Sequence, residues 1–187
     1  MTGKALIVID LQNDYYPGGK WTLDGIEAAS ANAARLIDSF RDNGDLVVHV
    51  HHNFPSDDAP FFVAGTEGAE IHQDVKPRDG EPLVLKQQVN AFHQTNLKDL
   101  LDQNSVEDLV ICGAMSHMCV DAATRAASDL GYGCTVVHDA CASRDLEFNG
   151  VKIPAQQAHA AYMTSLGFAY ATLNTTEEYL ATKGDAA

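Results

Sequence analysis

The run Ala5-Leu6-Ile7-Val8-Ile9, followed by Asp10, indicates the fold class of this chain. Five consecutive apolar residues predict a strand that is buried on both faces, because a strand with one solvated face alternates apolar and polar residues. Strands of this kind belong to parallel sheets that helices cover on both sides. The stretch therefore predicts an α/β fold, and it places a carboxylate at the end of the first strand.

Short apolar runs alternate with longer amphipathic segments along the rest of the chain. The further predicted strands are 46–51, 83–86, 108–112, 134–138 and 168–173. The predicted helices are 24–43, 96–103, 117–130, 153–166 and 176–181. Residues 53–82, which are rich in proline and glycine, predict a long irregular connection, and residues 183–187 are expected to fray. This order predicts a single domain over residues 1–187, with a parallel sheet between two layers of helices.

Composition narrows the range of functions. The 187 residues suit one domain, and 12 basic against 26 acidic residues give a net charge of −14. A surface this negative repels phosphate backbones and anionic membranes, so we expect neither nucleic acid nor a membrane as partner. No apolar run approaches the roughly 18 residues that cross a bilayer, and no secretory signal precedes the first strand.

The chain has four cysteines and no CxxC pair, and this pattern indicates the redox state of the compartment in which the protein is found. A chain of this size can bury a core without disulfides, so the cysteines predict reduced thiols and a cytoplasmic location. They are Cys112, Cys119, Cys134 and Cys141.

Three reactive side chains are predicted to meet at one edge of the sheet. Asp10 ends the first strand, Lys86 ends the third, and Cys119 follows the fourth at the start of a helix. Ligands of parallel sheets bind beyond the carboxyl ends of the strands, and a thiol with a carboxylate and a cation suits covalent catalysis. Each residue alone has a plainer interpretation, as a solvated strand end or a small core residue. Their coincidence favours a site, and the helix start is expected to lower the thiol pKa.

The segment Gly113-Ala114-Met115-Ser116-His117-Met118-Cys119-Val120 carries a resemblance to a known family. Its order and spacing relative to the other matching stretches resemble the isochorismatase-like cysteine hydrolases over about residues 4 to 175. Ser116 stands where that family more often has threonine, so the hydroxyl is retained. The other matching stretches are Ile9-Asp10-Leu11-Gln12-Asn13-Asp14, 65–71, Lys86, Asn90-Ala91-Phe92 and 139–143.

The resemblance implies a three-layer α/β/α domain with a six-stranded parallel sheet and a catalytic triad of Asp10, Lys86 and Cys119. It also implies a cis peptide bond between Ala114 and Met115. That bond would aim the Met115 N–H at the same point as the Cys119 N–H and so form an oxyanion hole. The family commonly assembles, so a homo-oligomer is expected, and the reaction requires no cofactor.

A small-molecule substrate would be held by side chains in the loops around this edge. Aromatic residues there can form a pocket wall, although each can equally be a packing residue. The candidates for the substrate pocket are Gln12, Trp21, Phe61, Phe92 and His117.

Histidines near the second strand raise the question of a metal. His49 and His51 share one face of that strand, His52 faces the other way, and His72 lies in the long connection. The nicotinamidase branch of the family binds a metal through an Asp-x-His motif just after this strand. The matching stretch 52–54 lacks both ligands, so no metal is predicted, and these histidines are interpreted as pocket-rim or packing residues.

These features predict hydrolysis of a small amide or a related C–N bond. Asp10 would take the Cys119 proton, the thiolate would attack the carbonyl, and water would release the thioester. Lys86 would hold Asp10 charged and depress the thiol pKa. Two alternatives stay open, an isochorismatase-type vinyl ether hydrolase, which needs no nucleophilic thiol, and a binding protein on the same fold.

Overall fold

A parallel sheet of six strands, in the order β3-β2-β1-β4-β5-β8, runs through the centre of the protein. The computed structural model describes residues 3–184, with side chains to 182, so most of the tail predicted to fray lies outside them. The strands are β1 (Gly3–Ile9), β2 (Leu46–His52), β3 (Leu83–Lys86), β4 (Val106–Ala114), β5 (Gly133–Ala142), β6 (Leu146–Phe148), β7 (Val151–Ile153) and β8 (Thr172–Asn174). The helices are α1 (Ile26–Asp42), α2 (Leu97–Gln103), α3 (Asp121–Asp129), α4 (Ala155–Ala169) and α5 (Thr176–Gly184).

Two apolar cores lie on opposite faces of the sheet. Leu6 and Val8 of β1 face a core shared with α1 and α5, whereas Ala5, Ile7 and Ile9 face a core shared with α2, α3 and α4. All five side chains are buried, because alternate residues of a strand point to opposite faces. The α/β/α arrangement of three layers around a six-stranded parallel sheet is therefore confirmed.

The long connection, 53–82, is fastened to the start of the chain. The Asp14 carboxylate, which is buried, accepts hydrogen bonds from the backbone N–H groups of Phe62 at 2.7 Å and Lys20 at 3.1 Å. Two short 3-10 turns, Glu67–Ala69 and Gln73–Val75, are the only helical pieces of this segment. The connection is thus irregular, as predicted, but it is held in place by buried hydrogen bonds.

The C-terminal third differs from the prediction in two places. The strand predicted at 168–173 is wrong in its bounds, because α4 continues to Ala169 and β8 begins only at Thr172. Phe168 lies on this last helical turn and is 90% exposed. A short apolar run carries no periodicity that separates a strand from a helix. The antiparallel hairpin of β6 and β7 was not predicted.

Glu81 fixes the start of β3, the strand that carries Lys86. Its carboxylate accepts two hydrogen bonds from the Arg41 guanidinium, at 2.7 and 2.8 Å, and lies 2.9 Å from His49 Nε2. Burial alone would raise the pKa of Glu81, but hydrogen bonds from Arg41, the Arg78 backbone and His49 outweigh it and lower that pKa to about 2.

Replacing Glu81 with glutamine is expected to lower the free energy of unfolding by about 1–3 kcal/mol at neutral pH. The folded pKa lies below the ordinary 4.5, so this stabilisation is present above that pH and is lost as the pH falls towards 2. Urea unfolding of both proteins at several pH values measures the difference. A difference between wild type and Glu81→Gln that stays constant down to acidic pH would contradict this assignment.

Candidate active site

Asp10, Lys86 and Cys119 lie in contact at the carboxyl edge of the sheet. Asp10 directly follows β1, Lys86 is the last residue of β3, and Cys119 lies in a wide π-helical turn, Ser116–Val120, between β4 and α3. Lys86 Nζ is 2.8 Å from Asp10 Oδ2 and 3.3 Å from Cys119 Sγ. All three side chains are buried. The structure therefore brings together the three residues that the sequence singled out.

The backbone of Asp10 bends sharply where β1 ends. Its φ of +51° lies in the left-handed region, which aspartate tolerates better than most residues. The Asp10 N–H still donates to Val50 O at 2.9 Å, so the residue remains attached to β2. Residues other than glycine in this region concentrate at functional sites, where the surrounding structure enforces the conformation.

The turn that carries Cys119 begins with a close approach between two strands. Gly113 has a φ of +121°, and a Cβ there would collide with the backbone of Ile9 on β1. The next peptide bond but one, Ala114–Met115, is cis. Met115 O then accepts hydrogen bonds from two N–H groups of the π-helical turn, which replaces the start of the helix predicted at 117–130.

Ser116 pins this turn to β5 and α4. Its hydroxyl donates to Ala142 O at 3.0 Å and lies 2.8 Å from His159 Nδ1. A hydroxyl has one proton, so His159 must be the donor in the second bond. The family resemblance drew attention to Ser116 through its hydroxyl, and the structure gives that hydroxyl two partners, the buried Ala142 and the half-buried His159.

The charges at the site oppose early ionisation of the thiol. Burial and the Asp10 carboxylate raise the pKa of Cys119 to about 12, although the Lys86 ammonium acts in the other direction. The expected lowering of this pKa is therefore wrong for the resting protein. Burial also raises the pKa of Asp10, against the pull of Lys86. The pair in closest contact, Asp10 and Lys86, carries the opposite charges, and Cys119 remains a thiol.

His52 lies within the site, where sequence analysis had interpreted it as a rim or packing residue. Its Nδ1 is 2.8 Å from Lys86 Nζ. Candidate ligand atoms of Asp10, His52 and Cys119 lie within 4.8 Å of one another, the only such group among residues 3–182. Lys86 Nζ contacts all three residues, so the ammonium occupies the place where a cation would be held.

The other histidines considered as ligands lie apart from this group. His49 is paired with Glu81, and His72 stacks on the Tyr16 ring with centroids 3.6 Å apart. His51 is half-buried on the opposite face of β2 from His52, and burial lowers its pKa. These three are not among any group of ligands in the part of the chain that the structure describes.

The five candidate pocket residues lie in different places. Trp21 and Phe61 stack at 4.8 Å and belong to one aromatic cluster. Phe92 packs instead near Tyr132, at 6.2 Å, against the core that contains α2, α3 and α4. His117 is buried, with Nδ1 2.8 Å from Ser143 Oγ.

Gln12 does not have a free side chain for a substrate. Its amide nitrogen donates to His52 O at 2.8 Å and to Ala69 O at 2.7 Å, and its amide oxygen accepts from His52 N at 2.8 Å. The side chain is completely buried. Gln12 therefore joins β2 to the long connection, which corrects its assignment to the pocket.

The aromatic cluster runs from His52 to Trp21. His52 lies 4.2 Å from the Phe54 ring, Phe54 lies 5.5 Å from Phe61, and Phe61 stacks on Trp21. Tyr15 packs against the same cluster, 5.7 Å from Phe61. Rings in this arrangement form an apolar wall that begins at the Lys86 contact and extends outwards.

Arg144 stands at the far end of this wall and was missed in the sequence. Its guanidinium lies 4.1 Å from the Trp21 ring centroid and has no carboxylate partner among residues 3–182. Burial raises the pKa of Tyr15, as do Asp10 and Cys119, while Arg144 acts the other way. The charges of Arg144 and of the triad thus both influence the pKa of one buried hydroxyl, that of Tyr15. Its place directly after the matching stretch 139–143 was the available signal.

Comparisons with known proteins agree on one family. The family model for the isochorismatase domain matches residues 4–175. The isochorismatase family protein YddQ of Bacillus subtilis is 46% identical over 176 residues, 94% of this chain and 98% of its own. A crystal structure of an isochorismatase-family hydrolase from Oleispira antarctica is 52% identical, with a TM-score of 0.94 over 96% of this chain and 97% of that one.

A relative with a named activity is the maleamate amidohydrolase of Pseudomonas putida. It is 31% identical over 157 residues, which cover 75% of this chain and 72% of that protein.

Within residues 3–184, no helix combines the length and apolar character that crossing a membrane requires.

Among the four cysteines, Cys119 is expected to be alkylated first. Burial raises the pKa of all four thiols, but only the Cys119 thiol contacts a lysine and has a carboxylate within reach. Mass spectrometry after a brief iodoacetamide pulse at pH 7 measures the order of labelling. Lys86→Met should slow labelling of Cys119 about 10²-fold, because it removes the ammonium that lowers the pKa of the thiol. Earlier labelling of Cys141 in the wild type would contradict the assignment.

Proposed function

The chain belongs to the isochorismatase family, and from this premise we propose that it is a cysteine-dependent hydrolase of a small amide or a related C–N bond. The observation that carries the proposal is the position of Lys86 Nζ, 2.8 Å from Asp10 and 3.3 Å from Cys119. A buried nucleophile and a buried base that both contact one cation match the requirements of covalent acyl transfer. The named relative, an amidohydrolase, supports an amide as the bond that is cleaved.

Acylation begins with proton transfer from Cys119 to Asp10. Since the resting thiol has a pKa of about 12, attack on the carbonyl carbon and loss of the proton occur together. Lys86 stays in contact with both groups, so it stabilises the negative charge as that charge moves from the carboxylate to the sulfur. The sulfur electron pair forms the C–S bond, and the carbonyl oxygen becomes an oxyanion.

Collapse of this intermediate breaks the C–N bond. Protonated Asp10 gives its proton to the leaving nitrogen, which departs as an amine or ammonia. Asp10, again a carboxylate, then takes a proton from water, and the resulting hydroxide attacks the thioester. Breaking the C–S bond returns the proton to Cys119 and releases the carboxylic acid.

We place the oxyanion hole at the backbone N–H groups of Met115 and Cys119. Support comes from the π-helical turn between β4 and α3, in which Met115 O accepts hydrogen bonds from the N–H groups of Met118 and Val120, the two neighbours of Cys119. Ser116 holds this turn to β5 through Ala142. Two fixed donors stabilise a developing oxyanion without having to reorganise during the reaction.

Neither of the two alternative functions requires all three residues of the site. Hydrolysis of a vinyl ether needs a carboxylic acid as proton donor but no thiol, so it leaves the contact between Lys86 and Cys119 without a purpose. A binding protein needs neither a buried lysine nor a thiol held against it. Burying an ammonium costs several kcal/mol unless it is well paired, which favours a catalytic reason for this arrangement.

Arg144 supports a substrate that carries a negative charge. The guanidinium lies on Trp21, at one end of the wall of aromatic rings, and no carboxylate neutralises it among the described side chains. Arginine binds carboxylates through two parallel hydrogen bonds, and an apolar wall suits the carbon skeleton between two polar ends. We therefore propose a small amide with a carboxylate at its other end.

The expected assembly and location remain proposals. Phe148 and Val151 oppose each other across the β6–β7 hairpin and are 72% and 63% exposed, so the hairpin presents an apolar pair that a second copy could cover. All four cysteines are unpaired, as a reducing compartment such as the cytoplasm would keep them.

The function is tested by a screen of small amides with variants at the nucleophile. Wild-type protein should release amine or ammonia from at least one amide, and Cys119→Ala and Cys119→Ser should lose this activity while they keep the fold. The rate should rise with pH as Asp10 ionises, and the midpoint should lie above 3.8 because burial raises that pKa. Full activity in Cys119→Ala would exclude the thioester, and activity on vinyl ethers alone would favour the first rival.

Arg144→Gln tests the charge of the substrate. It should raise KM for a carboxylate-bearing amide about 10–100-fold, the loss of one charge-assisted interaction, and leave KM for the neutral amide of equal size unchanged. Arg35→Gln, which removes the same charge from the exposed pair with Glu177, is the matched control. Equal effects of Arg144→Gln on both amides would contradict the proposed substrate class.

A further inference from the structure

The register of two neighbouring strands brings His52 and Lys86 face to face. Residues 49–52 of β2 pair in parallel with β3, and the last partners in this register are His52 and Lys86. Opposed residues project from the same face of a sheet, so the imidazole and the amine meet at its carboxyl edge. Nδ1 and Nζ are 2.8 Å apart, whereas His51, one residue earlier, is paired with Leu85 and faces the other way.

A count of protons determines the direction of this hydrogen bond. An ammonium has three N–H donors and no acceptor. Lys86 Nζ contacts three acceptors, Asp10 Oδ2 at 2.8 Å, His52 Nδ1 at 2.8 Å and Cys119 Sγ at 3.3 Å. The ammonium thus donates to His52 and Cys119 and forms an ion pair with Asp10, and because it has no acceptor for a proton, Nδ1 of His52 must be unprotonated. The ring proton of His52 is on Nε2, which is buried and has no hydrogen-bond partner among the described residues.

His52 remains neutral at any ordinary pH. Burial lowers its pKa to about 3, and the neighbouring Lys86 charge and His51 act in the same direction. A protonated imidazole would also turn a donor towards the ammonium. His52 therefore accepts a hydrogen bond without contributing charge, and so the attraction between Lys86 and the Asp10 carboxylate is not reduced.

The backbone and the ring of His52 are both supported by neighbouring side chains. Gln12 bonds to the backbone N–H and to the carbonyl of His52, each at 2.8 Å, which fixes the strand end. Phe54 lies 4.2 Å from the ring, and Phe62 lies 6.4 Å away. Rigid support of this kind is what positions a group within a few tenths of an ångström.

We propose that His52 is a positioning residue of the catalytic site, which binds one ammonium proton of Lys86 and thereby directs the other two at Asp10 and Cys119. This rests on the proposed function only in treating Cys119 as the nucleophile. Without the acceptor, one N–H of Lys86 would be buried and unpaired, and the amine would turn towards whichever acceptor could take it. The contact that shifts is the longest one, that with the Cys119 sulfur.

The tautomer of His52 can be observed directly in the wild-type protein. Long-range ¹⁵N–¹H spectra of the imidazole should show an unprotonated Nδ1, a protonated Nε2 and no titration between pH 5 and about 8, where a free histidine ionises. A proton on Nδ1, or a titration near pH 6.5, would overturn the proposal.

Two variants separate the acceptor from the ring. The amide oxygen of His52→Asn can take the place of Nδ1, whereas His52→Phe keeps the ring contacts and removes the acceptor. Alkylation of Cys119 by iodoacetamide should slow about 10–100-fold in His52→Phe, the usual cost of removing a supporting partner, and be largely retained in His52→Asn. His72→Phe, which removes a histidine that stacks on Tyr16, should match the wild type.

Unchanged alkylation in a folded His52→Phe, or equal loss in both His52 variants, would overturn the proposal. If His52→Phe does not fold, the wild-type spectra decide. Neither measurement uses a substrate, so failure to hydrolyse any amide would refute the proposed function and leave this result standing.

Discussion

The site depends on one buried ammonium with three acceptors. Lys86 contacts Asp10, His52 and Cys119, and none of the four side chains is exposed to a significant degree. A buried charge is tolerated only when it is paired and each of its donors is satisfied, so loss of any partner disturbs the others.

The order of strands in the sheet makes this contact possible. β3, β2, β1 and β4 are neighbours, and the ends of all four lie at the same edge because the sheet is parallel. Each strand end contributes one member: Lys86, His52, Asp10 and, through the turn after β4, Cys119. The supports lie just outside, where Glu81 anchors the start of β3 and Gln12 joins the end of β2 to the long connection.

Cys119 is protonated in the resting site and becomes a nucleophile only during the reaction. Burial keeps Cys119 a thiol, so it is alkylated and oxidised more slowly than a thiolate at the same position would be. Asp10 and Lys86 are already oppositely charged and in contact. The charge needed on sulfur arises only when Asp10 removes the proton, and Lys86 can then stabilise it from the position it already occupies.

The sequence by itself determined the layers of the fold, five of the six strands of the parallel sheet and the three residues Asp10, Lys86 and Cys119, whereas the last strand was misplaced and the β6–β7 hairpin was not predicted. Hydrophobic runs and strand ends are local signals, and the family resemblance rests on their order. Only the tertiary structure decided that His52 belongs to the site and that Gln12 supports it, because strand register sets which side chains meet. It also decided the pKa of Cys119, since burial and the distances to Asp10 and Lys86 are properties of the folded chain, and no spacing in the sequence encodes them.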